Sequence, residues 1–149
     1  MVNPEHIKQF ESVLNTFNTP TQCVAHHAIR DLLGRVANSP FQDRNNTETW
    51  TQIGSIAFVE FSTLSSSSVD TVAELSVFLS KKRHDYGVKN IVEFGEFGIK
   101  VRTVDKLARI ENMLARSGAT AVGEPMVDAW RDIVGYSAVA ILLISEHYV

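Results

Sequence analysis

The C-terminal stretch restricts the fold of this chain more than any other part. Residues 137–144 read Ser137-Ala138-Val139-Ala140-Ile141-Leu142-Leu143-Ile144, with no charged side chain among them. Wound as a helix, this segment is apolar nearly all round, and such a helix must be enclosed by other helices or by another subunit. It is too short to span a bilayer, which needs about 20 apolar residues. Upstream, Glu124, Asp128 and Asp132 follow a four-residue spacing that puts three carboxylates on one stripe. Like charges so placed repel, so the stripe calls for compensation by a basic face of a neighbouring helix or by a divalent cation. Glu124-Pro125 opens this helix, with proline in the first turn and acids suited to the helix dipole. The expectation is one helix continuing to about His147, central to an all-α bundle.

The other segments read as helices too. Asn3 and Pro4 suit the cap and first position of a helix carrying Ile7, Phe10, Val13, Leu14 and Phe17 at three- and four-residue spacing. A second is expected from Thr21 to Ala37, with Val24, Ala28, Leu32, Leu33 and Val36 inward. Thr47-Glu48-Thr49-Trp50 resembles a helix start. Residues 53–64 contain good strand formers, but strict alternation fails, which favours helix. After the serine run 65–68, with Ser68 as a cap, Val69, Val72, Leu75, Phe78 and Leu79 mark a helix stopped at Tyr86-Gly87. Val104, Leu107, Ile110, Met113 and Leu114 form the stripe of another, ended by Ser117-Gly118. The expected fold is a compact all-α bundle of five to six helices.

With 149 residues and 44% hydrophobic content, the chain suits one domain over 1–149. The serine run allows a subdivision into an N-terminal helical hairpin (1–64) and a C-terminal unit (69–149). A net charge of −3 argues against general nucleic-acid binding, though not against a local basic pocket for a small phosphate. The lone Cys23 cannot form an intramolecular disulfide and reads as a small buried residue. No basic patch followed by an apolar stretch marks the N-terminus, so a soluble cytoplasmic protein is expected.

Charge is distributed unevenly. Arg102, Asp105, Lys106, Arg109, Asn112 and Arg116 share one polar face, on which Asp105 and Arg109 stand four apart and can pair. The rest of that face is basic and can neutralise Asp128 and Asp132. Glu93 and Glu96, at three-residue spacing, would point the same way on a helix, but Gly95 and Gly98 weaken a helix there and allow close backbone approach to a ligand. Glu96 can equally pair with Lys100. Lys81, Lys82, Arg83 and His84 suit either a solvated helix end or a phosphate-contacting cluster, with Tyr86 stacking on a base. His26 and His27 are adjacent, have no metal-spaced partner and read as structural. A serine nucleophile with its base, a phosphate-binding glycine loop and zinc spacings are absent.

Several of these blocks occur in one order: Lys82-Arg83-His84-Asp85-Tyr86-Gly87, then 93–102, then Asp105-Lys106-Leu107-Ala108-Arg109, then acids ahead of Gly135-Tyr136. In that order they resemble a small family common in bacteriophages, the first nucleotide-modification-associated domain, over roughly residues 74–145. The resemblance implies a mainly helical, phage-type protein linked to nucleotide or DNA-base modification. Carried over by position, its polar residues are Asp85, Tyr86, Arg102, Asp105, Lys106, Arg109, Glu124, Asp128 and Asp132. The aromatic setting of Glu93 and Glu96 departs from the pattern and leaves helix and loop both open there. A second likeness is to all-α nucleoside-triphosphate pyrophosphohydrolases, whose Glu-x-x-Glu element Glu93 and Glu96 match. Glu124 and Asp128 miss its second element by one residue.

Three readings follow. In the first, Glu93, Glu96, Glu124 and Asp128 hold magnesium, and Asp128 and Asp132 are the catalytic carboxylates. Lys82, Tyr86, Arg102, Asp105, Lys106 and Arg109 then bind the nucleotide that is hydrolysed. In the second, the same basic face holds a nucleotide or cyclic nucleotide signal without metal, in a non-catalytic oligomeric sponge. In the third, every charge is a salt bridge of a structural or protein-binding module. The apolar final helix suits a homo-oligomer under all three.

Overall fold

Helix α1 (Pro4–Leu14) begins as its sequence suggests: the Glu5 amide donates to the Asn3 side chain at 2.9 Å, and Pro4 occupies the first turn. The computed structural model describes residues 2–17, 24–37, 44–65, 71–116 and 125–148. Among these it contains α1, α2 (Ala25–Leu33), a 3₁₀ turn (Arg44–Asn46), α3 (Thr47–Leu64), α4 (Thr71–Tyr86), α5 (Lys89–Ala115) and α6 (Met126–Ile144), and no strand. The fold is compact and all-α. The positions of Cys23, Ser66, Ser67, Ser68, Ser117, Gly118 and Glu124 lie outside the described residues.

Residues 53–64 are helical throughout, despite their strand-forming side chains. Packing decides this. Trp50, Ile53, Gly54, Ile56 and Ala57 form a buried face of α3 against α6 and α2. The hydroxyls of Thr51, Ser55 and Thr63 each donate to the carbonyl four residues back, at 2.7–2.8 Å, and so are satisfied within the helix.

Helix α6 packs against α3, α5 and α1, and none of its residues is exposed. Each Ile, Leu or Val so buried contributes about 1.5–3 kcal/mol. The chain itself thus encloses this helix, and its apolar character alone does not require a second copy. Pro125 stands one position earlier than expected, as the cap residue with extended ψ of 150°. At Gly135 a Cβ would lie 2.8 Å from a Leu79 methyl, which marks a close approach of α4 and α6. Helices from both sides of the serine run interpack, α2 also lying on α5. Among the described residues no helix is long and apolar enough to cross a membrane.

Two backbone features correct the expectations. The first is Gly95, at φ 60° and ψ −153°, a conformation open in practice to glycine alone, which breaks α5 in its first third. Three-residue spacing therefore no longer aligns the two glutamates. Glu93 is exposed, whereas Glu96 is 1% exposed and faces the core. There its Oε2 accepts from Trp50 Nε1 and from Asn46 Nδ2, each at 2.8 Å.

The second feature ends α6 at Ile144 instead of near His147. Glu146 adopts φ 64°; its amide donates to Leu143 O at 3.1 Å, and the His147 amide donates to Leu142 O at 2.8 Å. This is a Schellman motif with glutamate where glycine is usual. It turns the chain back so that Tyr148 is buried. Left-handed backbone costs a side chain about 1–2 kcal/mol, partly offset by glycine's greater freedom when unfolded. Glu146→Gly should therefore stabilise the fold by about 0.5–1 kcal/mol. A chemical denaturation midpoint that is unchanged or lower would contradict this reading of the turn.

Candidate functional site, a cationic cleft between α4, α5 and α6

A cleft of about 290 Å³ opens where the C-terminal end of α4, two parts of α5 and the middle of α6 meet. Helical spacing supplies its walls. On α4, Leu79, Lys82, Arg83 and Tyr86 share one face; on α6, Asp132, Gly135, Tyr136 and Val139 do the same. Arg102 and Lys106 stand one turn apart on α5. Gly87, at φ 70°, follows α4 and leads the chain into Asn90 and Ile91 at the start of α5. Phe10 from α1 and Tyr148 from the returning C-terminal segment complete the lining.

The charges are strongly one-sided. Lys82, Arg83, Arg102 and Lys106 set four positive charges against the single carboxylate of Asp132, a net of +3 in a chain whose total is −3. Asp132 is shared by two lysines: Lys106 Nζ lies 3.2 Å from its Oδ2 and Lys82 Nζ 3.4 Å from its Oδ1. The expected compensation of the acidic stripe by Lys106 thus exists, with Lys82 added from α4. Phe78 receives Lys82 on its ring at 5.0 Å and Arg131 at 4.2 Å, which steadies both cations.

Arg83 is 5% exposed, and its guanidinium lies 4.3 Å from the centre of the Tyr148 ring. Burial lowers its pKa from the usual arginine value, opposed by the interaction with Tyr148. Burial likewise raises the pKa of the Tyr148 hydroxyl, while the positive charges of Arg83 and Arg102 pull the other way. His6 on α1 is lowered first by burial and then by the charge of Arg83.

The residues singled out from the sequence separate into two groups. Lys82, Tyr86, Arg102, Lys106 and Asp132 come together in the cleft. Asp105 is exposed on α5, Arg109 lies half-buried beyond the lining, and Asp128 reaches Arg131 at 3.6 Å. Of the four expected magnesium ligands, the three that are described do not share a place. Glu93 faces solvent, Glu96 faces Trp50, Asp128 lies near the start of α6, and Glu124 is outside the described residues. Among the described residues no group of three His, Cys, Asp or Glu side chains is placed to hold a metal ion. Lys100, weighed as a partner of Glu96, donates its Nζ to the Val36 carbonyl. His26 and His27 lie with ring centroids 4.2 Å apart and planes tilted by 38° near the Arg30–Glu111 pair, where Arg30 holds the Glu111 carboxyl below its ordinary value.

Sequence reasoning passed over Asn90 and Tyr148, and named Arg83 only within a basic run and Tyr136 only within the motif resemblance. Arg83 was one member of a basic run that the helix divides, since Lys81 and His84 are exposed. Its three-residue distance from Tyr86 was the available signal. Tyr148 had none, because glutamate does not announce a left-handed turn. In comparisons with known proteins, no family model, no curated protein and no solved structure matches this chain.

Proposed function

We propose that the cleft binds a phosphate-bearing small molecule of the nucleotide class without need of a metal ion. The observation that carries this reading is the net charge of +3 inside a cleft of about 290 Å³, in a chain of net charge −3. That volume is at the lower end of the roughly 300–1,000 Å³ common for ligand sites, which suits one nucleotide better than a polymer. Lys82, Arg102 and Lys106 would receive the phosphate oxygens through charge-assisted hydrogen bonds. Tyr86, 76% exposed at the rim, offers its ring to a base. The motif resemblance over residues 74–145 points to the same ligand class, in a phage nucleotide-modification or host-conflict setting within the cytoplasm.

Titration calorimetry with nucleoside mono-, di- and triphosphates in a chelating buffer tests the proposal. Saturable binding that weakens as salt rises is the expected result, because exposed charges are screened within about 8–10 Å at ordinary ionic strength. No heat from any nucleotide, or binding seen only when magnesium is restored, would reject the metal-free reading. Release of phosphate or pyrophosphate on adding magnesium would shift the assignment to hydrolysis.

A further inference from the structure

The cations of the cleft explain attraction to an anion, but one group works against it. Among the described lining residues Asp132 alone carries a carboxylate, and its side chain is 17% exposed. Its Oδ1 meets Lys82 Nζ from α4 at 3.4 Å, and its Oδ2 meets Lys106 Nζ from α5 at 3.2 Å. Two walls converge on this carboxylate, which therefore stands between them and not behind one. A ligand oxygen accepting from Lys106 at about 2.8 Å lies within about 6 Å of Oδ2, and one accepting from Lys82 lies about as near to Oδ1. At that range each of two negative groups disfavours the charge of the other, which favours a proton held on one of them. A carboxylate oxygen accepts more than one hydrogen bond, so the two lysines leave capacity for a further donor.

We propose that Asp132 is a specificity-determining residue that accepts a hydrogen bond from an O–H of the phosphate, so that the cleft selects oxyanions carrying a proton. This rests on the anion reading above and narrows it. Inorganic phosphate carries such a proton, and so does a terminal phosphate below its second pKa of about 6. Sulfate and phosphodiesters, cyclic nucleotides included, have none. A proton-free oxyanion in the same place sets its charge against the carboxylate with nothing between them. Sites built to pair one hydroxyl discriminate strongly against analogues that lack it. The ligand class is then the terminal phosphate, and the phosphodiester is disfavoured.

Calorimetric titration of the full chain, in a chelating buffer, tests this with two pairs matched in charge. Inorganic phosphate is set against sulfate in mildly alkaline buffer, where both are divalent. AMP is set against cyclic AMP in mildly acidic buffer, where each phosphate carries one charge. The proton-bearing member of each pair is expected to bind about 10-fold or more tighter. Asp132→Asn removes the negative charge and leaves an amide that can donate or accept, so it should bring each pair within about threefold. Equal binding within a pair, or a split that survives in Asp132→Asn, overturns the role of Asp132 and leaves the cationic site standing. Failure of all four probes to bind removes both. The phosphate–sulfate pair decides the matter on the wild-type chain even if the variant does not fold, since the two anions match in shape as well as charge.

Discussion

Glu96→Ala is expected to destabilise the fold by about 3–5 kcal/mol, a large part of the roughly 5–15 kcal/mol available to a domain of this kind. The Glu96 side chain is 1% exposed, and one of its oxygens accepts from both Trp50 Nε1 and Asn46 Nδ2. Truncation leaves two buried donors without that acceptor, at about 1–3 kcal/mol each, and opens a cavity under α3. Glu96→Gln retains an oxygen at the same place and should lose only about 1 kcal/mol. Guanidinium denaturation followed by tryptophan fluorescence measures both. A Glu96→Ala protein within 1 kcal/mol of wild type, by the ~1 kcal/mol scale of a single bond, would mean that the two donors had found other partners.

The second large effect concerns the ligand. Replacing Arg102 and Lys106 together by alanine removes two of the four cleft cations and should weaken nucleotide binding by about 100- to 10,000-fold. Each charged hydrogen bond contributes on the order of 1.5–3 kcal/mol, and 1.4 kcal/mol is tenfold in affinity. Arg102→Glu alone should approach the same loss, since it replaces attraction by repulsion. Asp105→Ala, exposed on the same helix, serves as the control and should leave affinity within about twofold. Equal losses in the control and the double variant would place the binding elsewhere.

Much of the fold was legible because its helices follow ordinary rules. Asn3 caps α1, Gly87 stops α4, and the apolar positions of α6 require enclosure. The Lys106–Asp132 contact was legible for a similar reason, as opposite charges on successive helices tend to meet. The separation of Glu93 from Glu96 was not, because spacing arguments assume an unbroken helix between them. Gly95 is visible in the sequence, but its φ of 60° is a choice made by tertiary packing. A glutamate is also read as a surface residue by default, and partners such as those from 46 and 50 make the burial of Glu96 tolerable. Tyr148 was hidden by Glu146, which holds a conformation that its side chain disfavours.

The break at Gly95 also divides α5 by task. Asn90 and Ile91 precede it, while Arg102 and Lys106 follow it, so one ligand spanning the cleft touches both sides of the joint. Glu96, seated just beyond the break, ties that joint to Trp50 and Asn46. Thermodynamic linkage makes such an arrangement reciprocal. A ligand bound better in one setting of the joint would favour that setting in return, by the same free energy. On the proposed reading, the core network under α3 and a ligand in the cleft would then act on the same joint.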